Sequence, residues 1–297
     1  MSRPEREPEG SAIPTFLNPE AGSASEVREA LADPTRFDAR TVEPGALPTL
    51  VRAAADAGAP RVAVAGGDGT IAAAAAVLAG TATELAVIPA GTLNHFARDH
   101  DIPLACDEAA AVATHGRARP VDVARVNDRI FLNTSSAGAY VTFVRARERL
   151  ESRVGYALAS LGAGVQALAA SRSFRLELDV AGRARVYRTM LVFIGVGERE
   201  LRVPVLGGRV DGGRRGLHVI VPRARTRRRL VLLAALAAVR GVRGAKRAMH
   251  LDSFVVDHCR IHFRRPRGTV ALDGELAPLI APLSYAVERD ALRLVAP

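Results

Sequence analysis

The feature that most constrains the fold is an apolar strand that runs into three glycines and then into an alanine-rich helix. It is the segment Arg61–Thr70, RVAVAGGDGT. Gly66, Gly67 and Gly69 allow a sharp turn and a close approach of the backbone to a ligand. Thr70 can cap a helix whose positive N-terminus would face an anion. The segment therefore predicts a strand–loop–helix unit of an α/β fold that can hold a phosphate.

Asp68 lies inside this glycine loop. A carboxylate there repels phosphate unless Mg²⁺ lies between them or the residue handles a proton. The alternative is a purely local role in the turn. Residues 67–72, GDGTIA, also match the dinucleotide pattern GxGxxG/A. That pattern belongs on the first strand of its unit and needs an acid about 20 residues later, which the next strand lacks. A nicotinamide oxidoreductase is therefore disfavoured.

A second glycine loop follows the next predicted strand. Pro89–Asp99 reads PAGTLNHFARD, so two neighbouring strands each end in a glycine turn. Ligands bind at the carboxyl ends of strands in open α/β sheets. Thr92 and Asn94 supply hydrogen-bonding side chains for a nucleotide, and Arg98 could meet a phosphate. Singly, Thr92 is typical of an N-cap and Arg98 of a solvated helix face; together the two loops favour a ligand site.

Hydrophobic patterning divides the chain into two halves. Up to about Asp122, apolar runs alternate with helical stretches, which predicts a parallel sheet because each crossover contains a helix. Beyond it, short strands joined by turns predict a mainly antiparallel domain. First-half strands are predicted at Ala12–Leu17, Arg36–Val42, Arg61–Ala65 and Leu85–Ala90, with helices at Ser25–Leu31, Ala46–Ala57 and Ile71–Leu78. Second-half strands are predicted at Val123–Val126, Ile130–Asn133, Phe174–Val180, Val186–Val196, Leu217–Val221 and Ala291–Val295, with helices at Arg145–Ser171 and Thr226–Met249.

Composition excludes several classes of protein. Lys246 is the only lysine and has no glycine loop around it. This excludes P-loop NTPases and protein kinases, which place a lysine among the phosphates. The net charge is +10, but aromatic residues are only 4% and tryptophan is absent, which argues against nucleic-acid binding. Cys106 and Cys259 are too few for a disulfide framework, so we expect a reducing compartment.

The sequence also bears on the membrane. Residues 1–11 are polar and charged and are predicted to be a flexible tail, not a signal peptide. The longest apolar run, Leu230–Val239, is too short to cross a bilayer. The segment Arg223–Arg247 places cations on both sides of that run. It either rests on an anionic membrane surface or packs as core beneath solvated arginines, and both interpretations remain open.

Four motifs in order resemble the diacylglycerol kinase catalytic family. They are FLNPEAGS at Phe16–Ser23, the GGDGT loop, PAGTLNHFAR and VALDGE at Val270–Glu275. The resemblance implies a nucleotide-binding α/β domain at 12–122 and a β-sandwich lipid-substrate domain at 123–285. It also implies that residues 286–297 return to the first domain, and that ATP binds with Mg²⁺ in the cleft between the domains.

The resemblance also implies roles for single residues. Asp273 and Glu275 match the DGE segment, where the family places a general base. That role suits a lipid hydroxyl, which is a poor nucleophile until a carboxylate takes its proton. The local alternative is an Asp273–Gly274 hairpin turn. Residues matching the family's nucleotide, phosphate and metal contacts are Asn18, Gly22, Gly66, Gly67, Asp68, Gly69, Thr70, Thr92 and Asn94.

The chain departs from the family pattern at three places. His95 replaces an aspartate, which we interpret as a helix-start substitution, and Glu20 replaces a basic residue. In residues 196–217, a signature that often holds a structural Mg²⁺ keeps only Asp211. We expect a cytoplasmic, peripherally membrane-bound ATP-dependent kinase for a diacylglycerol-like lipid. A degenerate nucleotide- or lipid-binding protein, a kinase for a soluble substrate and a homo-oligomer all remain open.

Overall fold

A computed structural model of the protein describes residues 12–170, 172–180, 182–201, 206–223, 226, 228, 251–263 and 267–297. The chain forms two compact units. The first contains the residues up to Val121 together with Ala291–Pro297, and the second contains Asp122–Asp290. The boundaries drawn from sequence fall after residues 122 and 285.

The first unit is built on a parallel sheet in the order β2–β1–β3–β4–β18. Its inner strands are nearly continuous apolar runs, and Val62, Val64, Leu85 and Ile88 are fully buried. This is typical of a parallel sheet covered by helices on both faces. The strands are β1 (Ile13–Leu17), β2 (Phe37–Thr41), β3 (Arg61–Gly66), β4 (Glu84–Pro89) and the end of β18 (Leu283–Ala296), and the helices are α1 (Ala24–Ala30), α2 (Leu47–Asp56), α3 (Asp68–Leu78), α4 (His95–Asp99) and α5 (Cys106–His115).

The start of α3 corrects one prediction. The helix begins at Asp68, not at Ile71, and its N-cap is Gly67, which has no side chain to offer. Thr70 therefore lies inside the first turn and does not cap the helix. Gly67 has the extended backbone that is usual for an N-cap residue, so the helix begins directly after β3. Helix α5 has no counterpart among the predicted elements.

The second unit is a sandwich of two mainly antiparallel sheets. One sheet has the order β14–β13–β10–β7–β16–β17, and the other contains β18–β15–β8–β9 with β5 and β6. Leu176 and Ile261 of one sheet share a buried cluster with Ile194 and Val219 of the other, as expected for face-to-face packing. Its elements are β5 (Arg117–Val126), β6 (Arg129–Phe131), β7 (Thr134–Gly138), α6 (Ala139–Ala170), β8 (Phe174–Val180), β9 (Arg183–Thr189), β10 (Leu191–Val196), β11 (Arg199–Leu201), β12 (Leu206–Arg209), β13 (Leu217–Pro222), β14 (Leu251–Val256), β15 (His258–Phe263), β16 (Arg267–Leu272), β17 (Glu275–Ile280) and β18 (Leu283–Ala296).

Several second-half predictions need adjustment. The single strand predicted at Val186–Val196 is two strands, because the chain bends at Met190. Across that bend the Thr189 hydroxyl accepts a hydrogen bond from the amide of Leu191 and donates one to its carbonyl. Helix α6 begins at Ala139, six residues before the predicted Arg145. The predicted helix Thr226–Met249 and its basic flanks lie outside the described residues, apart from single positions. In the part of the chain that the structure describes, none of the helices has the length and apolar character needed to cross a bilayer.

Candidate functional site

Three loops at the carboxyl ends of β1, β3 and β4 contact one another in the first unit. The Nδ2 of Asn18, just after β1, donates a hydrogen bond to the Oγ1 of Thr70 in the first turn of α3, at 3.0 Å. The Oδ1 of Asn18 accepts from the amide of Glu20, at 2.9 Å. Asn18 therefore joins the NPEAG loop to the GGDGT loop. Asn18 and Thr70 are both among the residues matched to the family motifs.

Two glycines of these loops, Gly66 and Gly91, lie where a side chain has no room. A Cβ added to Gly91 would lie 2.6 Å from the Cα of Gly67, and one added to Gly66 would lie 2.7 Å from the side chain of Thr70. A Cβ on Gly22 would meet only the carbonyl oxygen of Ala90, at 3.8 Å. The β3 and β4 loops therefore touch backbone to backbone. Gly91 was not among the predicted site residues, although the PAGT turn was the signal for it.

Asp68 joins the same two loops through its side chain. Its Oδ2 accepts a hydrogen bond from the amide of His95 at 3.1 Å, and its Oδ1 accepts one from the amide of Phe96 at 3.0 Å. These are the first two residues of α4, whose N-terminal amides have no partner within the helix. A carboxylate has about four lone-pair positions, so two amides leave capacity for a further ligand at the half-buried Asp68.

Asn94 shapes the second loop. It has a left-handed backbone, with φ of 50°, a conformation that asparagine tolerates better than most residues. Its Oδ1 accepts from the amide of Gly91 and its Nδ2 donates to the carbonyl of Gly91, both at 2.9 Å. Thr92 is exposed, and the Nε of Arg98 donates to the carbonyl of Leu93 at 3.0 Å. The side-chain amide of Asn94 is therefore used in hydrogen bonds within the loop, while Thr92 faces solvent.

In the second unit, Asp273 and Gly274 form the two-residue turn between β16 and β17, where Leu272 pairs with Glu275. Both turn residues have positive φ, 48° and 90°, as a type I′ hairpin requires. The Asp273 amide donates to the carbonyl of Thr134 at 2.8 Å. Glu275 is exposed. The local hairpin and a carboxylate placed for chemistry are therefore compatible at this position.

The carboxylate of Asp273 is anchored by three backbone amides. Its Oδ2 accepts from Leu132 at 2.7 Å, and its Oδ1 accepts from Asn133 at 2.7 Å and from Thr134 at 2.8 Å. Residues 132 and 133 were predicted to continue a strand. They leave β6 instead, because their amides bond to this side chain and not to a neighbouring strand. The turn between β6 and β7 is thereby fixed to the DGE hairpin.

Buried polar side chains accompany Asp273. Asn133 is 5% exposed, and its Oδ1 has no hydrogen-bond partner among the described residues. Ser135 is fully buried and its Oγ lies 3.1 Å from the hydroxyl of Tyr285. Burial raises the pKa of that hydroxyl, so Tyr285 stays neutral. Sequence reasoning missed this group, although the polar run NTSS inside an apolar stretch was its signal.

The remnant of the structural metal signature does not form a metal site. Asp211 is exposed, and across the described ranges no three histidine, cysteine or acidic side chains come together as ligands. The described residues therefore do not fit the structural Mg²⁺ that the resemblance implies. A nucleotide-bound Mg²⁺ is a different case, because it needs only one or two carboxylates beside the phosphates, and Asp68 can supply one.

Comparison with known proteins decides the family. Residues 14–126 match the diacylglycerol kinase catalytic domain. A protein of Pseudomonas syringae pv. syringae named "Probable lipid kinase YegS-like" is 32% identical over 250 residues, which cover 81% of this chain and 76% of that protein. The chain belongs to the diacylglycerol kinase catalytic family. The resemblance inferred from its four motifs is confirmed.

Two further comparisons concern one segment of the chain and its overall fold. A protein of the same name from Cronobacter sakazakii is 40% identical over 121 residues, which span 40% of its length. A crystal structure of a putative diacylglycerol kinase from Bacillus anthracis superposes with a TM-score of 0.75 at 21% identity, covering 100% of this chain and 99% of that one. This likeness confirms the predicted fold class, a parallel α/β domain with a separate antiparallel domain.

Proposed function

We propose that the protein is an ATP-dependent lipid kinase that transfers the γ-phosphate to the hydroxyl of a diacylglycerol-like lipid. The observation that carries the proposal is the meeting of three glycine loops at one edge of the parallel sheet. There, Gly67 and Gly91 touch backbone to backbone, and Asp68 and Asn18 join the loops by hydrogen bonds. Backbone amides of glycine loops and of a helix N-terminus are suited to binding phosphate.

The nucleotide would bind through the backbone of this first-unit loop cluster. Without a phosphate-binding lysine, the amides of the glycine loops and the N-terminus of α3 supply the positive partial charge. Asp68 would hold the Mg²⁺ that accompanies ATP, and that ion neutralises charge on the phosphate oxygens. Thr92, exposed beside Asn94, is available to the nucleotide. Family membership supports nucleotide use.

Asp273 would take the proton from the lipid hydroxyl. The reaction requires a carboxylate held in one orientation, and three amides hold this one. Glu275, exposed at the start of β17, is the second acid of the same motif. As the oxygen of the alcohol attacks phosphorus, its proton passes to Asp273 and the bond to the β-phosphate oxygen breaks, leaving ADP. Attack by an unassisted alcohol would be slower, because its proton would still be attached.

Because the proposed acceptor is a lipid, the reaction would take place at a membrane surface, on its cytoplasmic side. The chain carries a net charge of +10, and a basic protein is attracted to anionic lipid headgroups. The segment Arg223–Arg247 concentrates much of that charge around an apolar run. We therefore propose peripheral association with an anionic bilayer as the setting of the reaction.

Transfer of labelled phosphate tests the proposal. The purified chain is incubated with ATP labelled in the γ-phosphate, Mg²⁺ and vesicles of a total bacterial lipid extract, and the products are partitioned into organic and aqueous phases. Label in the organic phase that requires the protein supports the lipid kinase. Label confined to a new aqueous product would select a soluble acceptor. Nucleotide binding without any transfer would select a degenerate binding protein.

A further inference from the structure

Two aspartates mark the places where the chain enters and leaves the second unit. Asp122 is its first residue and Asp290 its last. They lie on β5 and β18, two strands that pair with each other. Arg125 of β5 and Glu288 of β18 form an ion pair between the same strands. The two connections to the first unit therefore start from adjacent strands that charged side chains tie together.

Arg215 bridges the two aspartates. Its Nε donates to the Oδ2 of Asp122 at 2.9 Å, and its Nη2 donates to the other oxygen of Asp122 and to the Oδ1 of Asp290 at 2.7 Å. The amide of Asp290 also donates to the Oδ1 of Asp122, at 3.0 Å. A single guanidinium thus contacts both carboxylates and binds one of them bidentately, which is a strong arrangement for arginine.

The cluster needs a cation because one carboxylate is buried. The side chain of Asp122 is only 4% exposed, against 43% for Arg215 and 51% for Asp290. Burial by itself raises the pKa of Asp122, but hydrogen bonds from Arg215 and the Asp290 amide, with the nearby charge of Arg209, lower it below its ordinary value. The carboxylate is therefore ionised, and a buried ionised group without a partner is costly.

Arg215 lies in the segment where the described residues form no metal site. The segment 196–217 is where the resemblance implied a structural Mg²⁺, and its remnant Asp211 is exposed. Arg215 lies four residues further along the same segment and occupies the space between two carboxylates. Carboxylate oxygens are also the ligands that divalent cations such as Mg²⁺ and Ca²⁺ prefer.

We propose that Arg215 is the built-in cation of the second unit, serving in place of a structural divalent metal to hold Asp122 and Asp290 where the chain leaves that unit. A chelator such as EDTA removes a metal ion but not a guanidinium, which also stays protonated. The stability of the unit is therefore independent of divalent ions in the wild-type protein. Removal of the guanidinium leaves two adjacent carboxylates that bind a divalent cation instead. The inference stands apart from the proposed kinase activity.

The test is the response of thermal unfolding to divalent ions in the full chain, without nucleotide or lipid. Wild type and Arg215→Ala are melted in EDTA, in MgCl₂, in CaCl₂ and in NaCl of matched ionic strength. We expect the wild-type Tm to be the same in all four. Arg215→Ala should lose about 3–8 °C in EDTA or NaCl and regain at least half of that loss with Mg²⁺ or Ca²⁺.

Two further variants separate this role from a general loss of charge. Arg289 also lies on β18, but it bonds Asp257 at 2.6 Å in a pair that is about half exposed on both sides. Arg289→Ala should change the Tm little and acquire no response to divalent ions. Arg215→Lys keeps the charge but lacks the two parallel N–H donors of the guanidinium. Its Tm should therefore fall less than that of Arg215→Ala, and it should respond little to Mg²⁺.

Three results would overturn the proposal. The first is an Arg215→Ala protein as stable as wild type in EDTA. The second is a destabilised Arg215→Ala protein that responds to divalent ions no more than Arg289→Ala does. The third is a wild-type protein that divalent ions stabilise more than matched NaCl does. Should Arg215→Ala fail to fold in EDTA, refolding it with and without Mg²⁺ gives the same decision, because only the proposed site makes refolding depend on the ion.

Discussion

The carboxylate of Asp68, in the first turn of α3, accepts a hydrogen bond from the backbone amide of His95 at the start of α4. This bond and its neighbour at Phe96 hold the β3 and β4 loops together. Asp68→Asn keeps the size of the side chain but replaces one acceptor oxygen with an NH₂ group that would face an amide donor. We expect kcat/KM for ATP to fall by about 10²-fold or more, because an oriented charged group is lost.

Asp56→Asn is the matched control for Asp68, since Asp56 is exposed at the end of α2 in the same unit. Steady-state phosphate transfer at varied ATP and Mg²⁺ measures both variants. If Asp68→Asn transfers phosphate as well as Asp56→Asn, then Asp68 serves only to join the two loops.

Gly91→Ala should weaken nucleotide binding. The added methyl group would lie 2.6 Å from the Cα of Gly67, a distance that forces the two loops apart. Titration calorimetry with a non-hydrolysable ATP analogue should show at least tenfold weaker binding. Gly45→Ala is the control, because a Cβ there meets nothing within 4 Å. Equal affinities for the two variants would show that the nucleotide does not use the contact between the β3 and β4 loops.

Arg61 should stabilise the first unit from the opposite edge of its sheet. Its Nη1 donates to the carbonyl of Ala113 at 2.6 Å and its Nη2 to that of Gly116 at 3.1 Å, at the end of α5, while its Nε bonds Glu84 at 2.9 Å. A cation at a helix C-terminus satisfies carbonyls that lack partners and complements the helix dipole. Arg61→Ala should lower the free energy of unfolding by about 1–3 kcal/mol.

Urea unfolding monitored by circular dichroism measures that loss. Arg40→Ala provides the comparison, because Arg40 is 62% exposed and pairs with the nearby Asp38. Exposed ion pairs contribute about 0–1 kcal/mol. If Arg61→Ala loses no more free energy of unfolding than Arg40→Ala, then α5 does not depend on Arg61.

The Asp122 cluster predicts an acid-dependent loss of stability. The pKa of Asp122 is lower in the folded protein than its ordinary value, so the carboxylate stabilises the fold above the unfolded-state pKa, about 3.9. That contribution is lost as the pH falls through the lower folded-state pKa. Unfolding midpoints of wild type and Asp122→Asn should therefore differ most near neutral pH and converge in strong acid. A difference in unfolding midpoint that grows on acidification would contradict the lowered pKa of Asp122.

The first unit could be predicted from sequence to within a few residues at most boundaries. Its buried parallel strands are continuous apolar runs, and glycines end them at Gly66 and Gly91, so local chemistry marks each element. Helix α5 was missed because its sequence, CDEAAAVATH, is short and largely alanine and shows no strong pattern. The Thr70 cap was predicted wrongly because a glycine at the N-cap leaves no side-chain signal.

The second-unit site was only half predictable. The motif identified Asp273, and the dipeptide Asp-Gly indicated its turn, but its amide donors lie about 140 residues earlier in the chain. The link from Arg215 to Asp122 and Asp290 is of the same kind, spanning 93 and 75 residues. Such partners depend on strand order and register, which hydrophobic patterning does not determine.

Single-turnover transfer of labelled γ-phosphate to lipid, compared between wild type and Asp273→Asn, tests the central claim most directly. Glu177→Gln, exposed on β8 of the same unit, is the control, and a thermal melt confirms that each variant is folded. We predict label in the organic phase for wild type and Glu177→Gln, and a rate about 10²–10⁴-fold lower for folded Asp273→Asn with unchanged ATP affinity. Labelled lipid formed equally fast by Asp273→Asn would contradict its role as the base, and no labelled lipid from the wild type would contradict the lipid kinase itself.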